Sequence, residues 1–168
     1  MDVIDSEMGI QVAIALGSNL GDSQATLETA VAQLSQDPNI NLQAQSHWYQ
    51  TVAVGPSQPD YLNGCVWVNT QYDPEPLLQR LLAIETQFGR VRLERWGPRI
   101  LDLDVLLFGS EVINTPTLTV PHPHLHERAF VLAPLAEICP HWMHPILHQS
   151  IADLAKAVDY TGVRQLPS

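Results

Sequence analysis

The sequence predicts an α+β domain of the ferredoxin-like, split βαβ type: an antiparallel sheet with helices packed on it. Three observations carry that expectation. Apolar residues alternate with period two in the strand segments and recur at helical spacing in two segments between them, in the order β-α-β-β-α-β. The 168 residues suit one domain, 1–168, with 1–9 a flexible N-terminus and 160–168 a tail. Apolar residues make up 45% and charged residues 15%, a globular balance.

The first strand is Gln11 to Leu16, where small alanines alternate with larger aliphatics. Asp22 or Ser23 caps a helix whose apolar positions are Leu27, Ala30, Val31 and Leu34. A second strand runs from about Asn41 to Tyr49 and leads into a loop over Thr51 to Pro59. In the third, Asp60 to Gln71, Leu62, Val66 and Val68 share one face, and Tyr61, Asn63, Cys65 and Trp67 the other. Pro74 and Pro76 open a second helix with the stripe Leu77, Leu81, Ile84 and Phe88, and Gly89 is placed to end it. The fourth strand is Arg99 to Phe108, with Glu111 to Ile113 as its hairpin partner after Gly109-Ser110. A Pro/His loop, Val120 to Glu127, precedes helices over about Arg128 to Glu137 and Gln149 to Val158.

Composition excludes several functions. The net charge of −10 argues against a nucleic-acid binder, which needs a basic face. No run of about 18 apolar residues exists to span a membrane, and the acidic start lacks the marks of a signal peptide, so a cytoplasmic location is expected. Cys65 and Cys139 read as buried, reduced thiols.

The chemistry concentrates in one stretch. Half of the 8 cations, Arg90, Arg92, Arg95 and Arg99, lie within ten residues, either an anion site or a solvated loop. Immediately after them, Asp102 and Asp104 project from the same strand face, while Leu101, Leu103 and Val105 point into the core. Adjacent carboxylates repel each other unless a cation offsets them, and hard oxygen ligands of this kind suit Mg²⁺. The alternatives are a strand whose polar face simply meets solvent, or Asp–Arg pairing with Arg99. Arginines beside paired carboxylates suit Mg-nucleotide phosphates. Trp96, in Trp96-Gly97-Pro98-Arg99, either stacks on a flat ligand or orders the loop. Tyr61 and Asn63 share a strand face, where they either meet one flat ligand or pave the sheet. His122, His124 and His126 form His-x-His-x-His, a zinc site, loop histidines, or, for His122, a phosphate contact.

Arg90, Arg92 and the block Arg95-Trp96-Gly97-Pro98-Arg99-Ile100-Leu101-Asp102-Leu103-Asp104 closely resemble the signature of the 6-hydroxymethyl-7,8-dihydropterin pyrophosphokinases. The resemblance extends to Ala15 to Gly21, Gln58 to Asn63, Leu118 to Pro123 and Arg128 to Leu135, about residues 12 to 140 in order. It implies pyrophosphoryl transfer from ATP to the hydroxymethyl group of 6-hydroxymethyl-7,8-dihydropterin in folate biosynthesis. Asp102 and Asp104 would hold two Mg²⁺ ions. Arg90 and Arg99 would join them as catalytic residues. Glu85, Arg90, Arg92, Trp96, Arg99, His122 and Arg128 would serve ATP. Thr51, Val54, Tyr61, Asn63, Trp96, Asp102 and Phe130 would serve the pterin. Two stretches depart from the family pattern: a short Leu93-Glu94, and Thr51-Val52-Ala53-Val54 where proline is richer. The competing readings are a Mg-dependent nucleotidyltransferase and a non-enzymatic metal-binding domain.

Overall fold

The computed structural model describes residues 9–19, 22–52, 60–88 and 100–167. Its centre is a six-stranded antiparallel sheet built on β4 (Tyr61–Thr70). On one side β4 pairs with β1 (Ile10–Ser18), which pairs with β5 (Asp102–Phe108). On the other it pairs with β2 (Ile40–Gln45) and then β3 (Tyr49–Thr51), and β8 (Val163–Gln165) extends β3.

Both predicted helices after strands form. In α1 (Ser23–Gln36) the Asp22 carboxylate accepts a hydrogen bond from the Ala25 N–H at 3.2 Å, and Leu27, Ala30, Val31 and Leu34 are buried. In α2 (Pro74–Gln87) proline occupies the first position and Leu77, Leu81 and Ile84 are buried. These stripes pack with Leu16, Val66, Val68, Leu103 and Val105 in one core. The opposite face carries a second core. There α3 (Ala129–Ile138) and α4 (Ile151–Lys156) bury Leu132, Leu135, Ile151 and Leu154 with Ala13, Cys65 and Leu106. The fold is the α+β class predicted, with helices on both faces. Both thiols are free and buried, which raises the Cys139 pKa to about 12.

Three elements differ from the sequence expectation. The second strand breaks into β2 and β3 at residues 46–48, because Ser46 Oγ accepts the Cys65 N–H at 2.9 Å and Trp48 turns inward over Gly64. The expected hairpin partner of β5 pairs elsewhere: β6 (Ile113–Asn114) joins β7 (Thr119–Val120). The outer edge of β5 is taken instead by the His122 N–H, which donates to the Leu106 carbonyl at 3.0 Å. The tail expected over 160–168 contains β8, whose pairing with β3 is a contact between distant parts of the chain. The flexible N-terminus expected over 1–9 lies, apart from Gly9, outside the described residues, and so does Gly89. No helix among the described residues is long and apolar enough to cross a membrane.

Candidate active site

A cavity of about 520 Å³ opens on the α3 side of the sheet. Its floor is β1, through Ala15 and Gly17. One wall is β5, with Asp102, Asp104 and Leu106, and the other is β4 and β3, with Tyr61, Asn63 and Thr51. His122, and Arg128 and Phe130 at the start of α3, close the side. Strand alternation explains the walls: β4 and β5 contribute every second residue to this face, while Leu16 joins Ala15 and Gly17 from β1. The register aligns the walls, since Gly17 stands opposite Asp102 on one side and Asn63 on the other. Two strand spacings, roughly 10 Å, therefore separate the carboxylate row from the amide row. Small residues on the middle strand leave the hollow between them.

Asp102 is half-buried and Asp104 exposed, while Leu101, Leu103 and Val105 are buried behind them. Two carboxylates on one face, open to water, fit a Mg²⁺ ion that takes its remaining ligands from water and phosphate. Glu85 has a different place. It is 3% exposed on α2, beneath the sheet, and accepts a 2.7 Å hydrogen bond from the Leu103 N–H. It does not line the cavity.

The imidazole of His122 accepts the His124 N–H at Nδ1, 3.2 Å away, so its neutral form carries the proton on Nε2. Burial, with help from the Arg128 and His124 charges, lowers its pKa. The ring is thus an uncharged donor at neutral pH. His124 turns to Glu127 at 2.8 Å, and the His126 ring meets His144 edge-on with centroids 6.5 Å apart. Three rings sent to three different partners do not make the zinc site of the metal-binding reading. No group of three or more His, Cys, Asp or Glu among the described residues could hold a metal.

Among the described cations, Arg80 pairs with Asp37 at 2.8 Å, Lys156 lies 3.7 Å from Asp153, and Arg164 donates to Gln50 at 2.7 Å. Arg128 lines the cavity, its guanidinium 5.7 Å from the centre of the Phe130 ring. On the other wall, Thr51 Oγ1 and Asn63 Oδ1 are buried with no partner among the described residues. Orphaned polar atoms at a cavity wall fit a ligand that brings its own hydrogen-bonding edge.

A family model for 7,8-dihydro-6-hydroxymethylpterin-pyrophosphokinase matches residues 13–140. This chain belongs to that family. It is 47% identical over 150 residues to a 2-amino-4-hydroxy-6-hydroxymethyldihydropteridine pyrophosphokinase of Synechocystis, covering 89% of this chain and 77% of that protein. A Pseudomonas aeruginosa protein of the same description is 41% identical over 158 residues, covering 94% of this chain and 97% of its own length. A solved HPPK-DHPS in complex with substrates shares the fold with a TM-score of 0.71 at 13% identity. That likeness covers 89% of this chain, which spans 43% of the solved one.

Every residue lining the cavity lies within the stretch matched by the pyrophosphokinase family. Of the residues singled out from sequence, the cavity brings together Thr51, Tyr61, Asn63, Asp102, Asp104, His122, Arg128 and Phe130. Glu85 stands outside it, and Val54, Arg90, Arg92, Trp96 and Arg99 lie outside the described residues. Sequence reasoning missed Ala15, Leu16, Gly17, Val52, Leu106 and Val131 as lining residues. The small alternating residues of β1 were the available signal for Ala15 and Gly17.

Proposed function

We propose that this chain uses the cavity to transfer the pyrophosphoryl group of ATP to 6-hydroxymethyl-7,8-dihydropterin, a step of folate biosynthesis. The pyrophosphokinase activity follows from the family; the assignment of residues is the reading offered here. The observation that carries it is the row Asp102, Gly17, Asn63, which sets a carboxylate wall against an amide and aromatic wall across one hollow.

On the β4 side, Tyr61 and Phe130 hold the pterin ring, and the orphaned oxygens of Thr51 and Asn63 meet its polar edge. Val54 and Trp96 would serve the pterin as well. On the β5 side, Asp102 and Asp104 would hold Mg²⁺, two ions in this reading. Bound there, the metal neutralises phosphate charge and lowers the pKa of the attacking hydroxyl. Arg90, Arg92, Arg99 and Arg128 neutralise the triphosphate, and His122 donates from Nε2 without adding charge. Glu85 serves ATP indirectly, by holding β5.

The hydroxymethyl oxygen attacks the β-phosphorus in line. The bond from that phosphorus to the α–β bridging oxygen breaks, AMP leaves with the electron pair, and the hydroxyl proton passes to solvent. The chain contributes alignment and charge complementarity rather than a general base. A cytoplasmic location suits these substrates.

Incubation with ATP, Mg²⁺ and the dihydropterin tests the proposal. AMP should appear only when the pterin is present. Pyrophosphate release in place of AMP would favour a nucleotidyltransferase, and absence of both would remove the proposal.

A further inference from the structure

Gly17 lies in the floor of the cavity between Asp102 and Asn63, and one neighbour uses its missing side chain. A β-carbon built on Gly17 would stand 2.7 Å from Nδ2 of Asn63, closer than carbon and nitrogen tolerate. Its next neighbours, Cγ of Asn63 at 3.8 Å and the Leu62 carbonyl oxygen at 3.9 Å, are at ordinary contact distance. The backbone itself does not call for glycine. Gly17 is extended strand, and among the described residues the left-handed glycines are Gly9, Gly109 and Gly162. Among the described residues, the demand for a bare α-carbon comes from the Asn63 carboxamide, which lies over the β1 backbone.

The other end of that carboxamide is Oδ1, buried and without a partner among the described residues. An amide is planar, so seating Nδ2 against Gly17 also fixes the direction of Oδ1. We propose that Gly17 is a positioning residue for the ligand: it admits the Asn63 carboxamide in the orientation that offers Oδ1 to an N–H donor on the pterin edge. The inference rests on the pterin reading above and deepens it. A methyl group at position 17 does not obstruct the sheet. It displaces the one atom it meets, the free end of a side chain, and turns Oδ1 away from the ligand.

Calorimetric titration of 6-hydroxymethyl-7,8-dihydropterin and, separately, of a non-hydrolysable Mg-ATP analogue tests this on wild type, Gly17→Ala, Asn63→Ala and the double variant. Gly17→Ala should weaken pterin binding about tenfold, the loss of one good hydrogen bond, and leave the nucleotide titration unchanged. In the Asn63→Ala background the same substitution should change pterin binding less than about twofold, because the two act as one unit. Equal pterin affinity of wild type and Gly17→Ala overturns the inference. So does an undiminished effect of the methyl in the Asn63→Ala background, which would mean that it meets the ligand directly. Should Gly17→Ala fail to fold, the double variant, which lacks the clashing amide, should fold; an unfolded double variant counts against the inference. A wild type that binds no pterin removes the functional reading and this inference together. A wild type that binds it beside an unaffected Gly17→Ala removes the inference alone.

Discussion

The carboxylate of Glu85 holds the backbone N–H of Leu103, at 2.7 Å, from beneath the sheet. Leu103 is the residue between Asp102 and Asp104, and β5 is the edge of the sheet on that side. The contact satisfies an edge donor that no neighbouring strand reaches. Glu85→Ala should therefore destabilise the protein by about 2 kcal/mol, the scale of losing a charged acceptor for a buried N–H. Glu85→Gln, which keeps an acceptor, should be milder. Urea denaturation of both decides it; an alanine variant as stable as wild type would refute the role.

Asp102→Asn and Asp104→Asn should each leave the fold intact, since both side chains face the cavity rather than the core. Each should lower turnover at least about a hundredfold, because several kcal/mol of charge stabilisation at the phosphates is removed. Pterin-dependent AMP formation and a thermal melt, run together, separate the two effects. Full activity in both variants would remove the metal assignment.

Acid should weaken one tie between α2 and the end of α1. Asp37, whose side chain is 4% exposed, accepts from Arg80 at 2.8 Å and from Tyr72 at 2.9 Å. Burial pushes its pKa up, but the Asn39 N–H, Arg80 and Tyr72 together hold it below the ordinary value of 3.8. A depressed carboxylate pKa stabilises the fold above the unfolded value, and that contribution is lost as pH falls through the folded one. Asp37→Asn should be less stable than wild type at pH about 7, with a gap that closes toward pH about 2. Denaturation curves across that range check it; a gap independent of pH would contradict the assignment.

Gly64→Ala should be far more damaging to the fold than Gly17→Ala. A β-carbon at 64 would meet the Trp48 ring atoms Cε3 and Cζ3, both at 2.5 Å. That indole is 7% exposed and packed in the core, so it has nowhere to move. The overpacking should cost about 3 kcal/mol, read as a drop in melting temperature. A melting temperature within a degree or so of wild type would show that the indole can give way.

The parts of this protein legible from sequence are those governed by local period. Asp102 with Asp104, and Tyr61 with Asn63, could be assigned to common faces because alternation in a strand needs no tertiary knowledge. The α1 and α2 stripes were legible for the same reason. What remained hidden depends on partners distant in the chain. Ser46 interrupts its strand only because Cys65 lies opposite, and Ile113 joins Val120 because His122 has taken the edge of β5. Glu85 is assigned to ATP only through the family resemblance, and its described hydrogen bond goes to a backbone amide of β5. The floor of the site was hardest to see, since Ala15 and Gly17 matter by what they lack.

The last strand carries a consequence for the order in which the molecule assembles. Arg164 on β8 donates to Gln50 on β3, a contact spanning 114 residues, and Thr51 is the cavity residue at the end of β3. Loops of that length close late. During refolding from urea, catalytic competence should therefore trail the recovery of the circular dichroism signal, as the cavity wall that holds Thr51 waits for β8 to arrive.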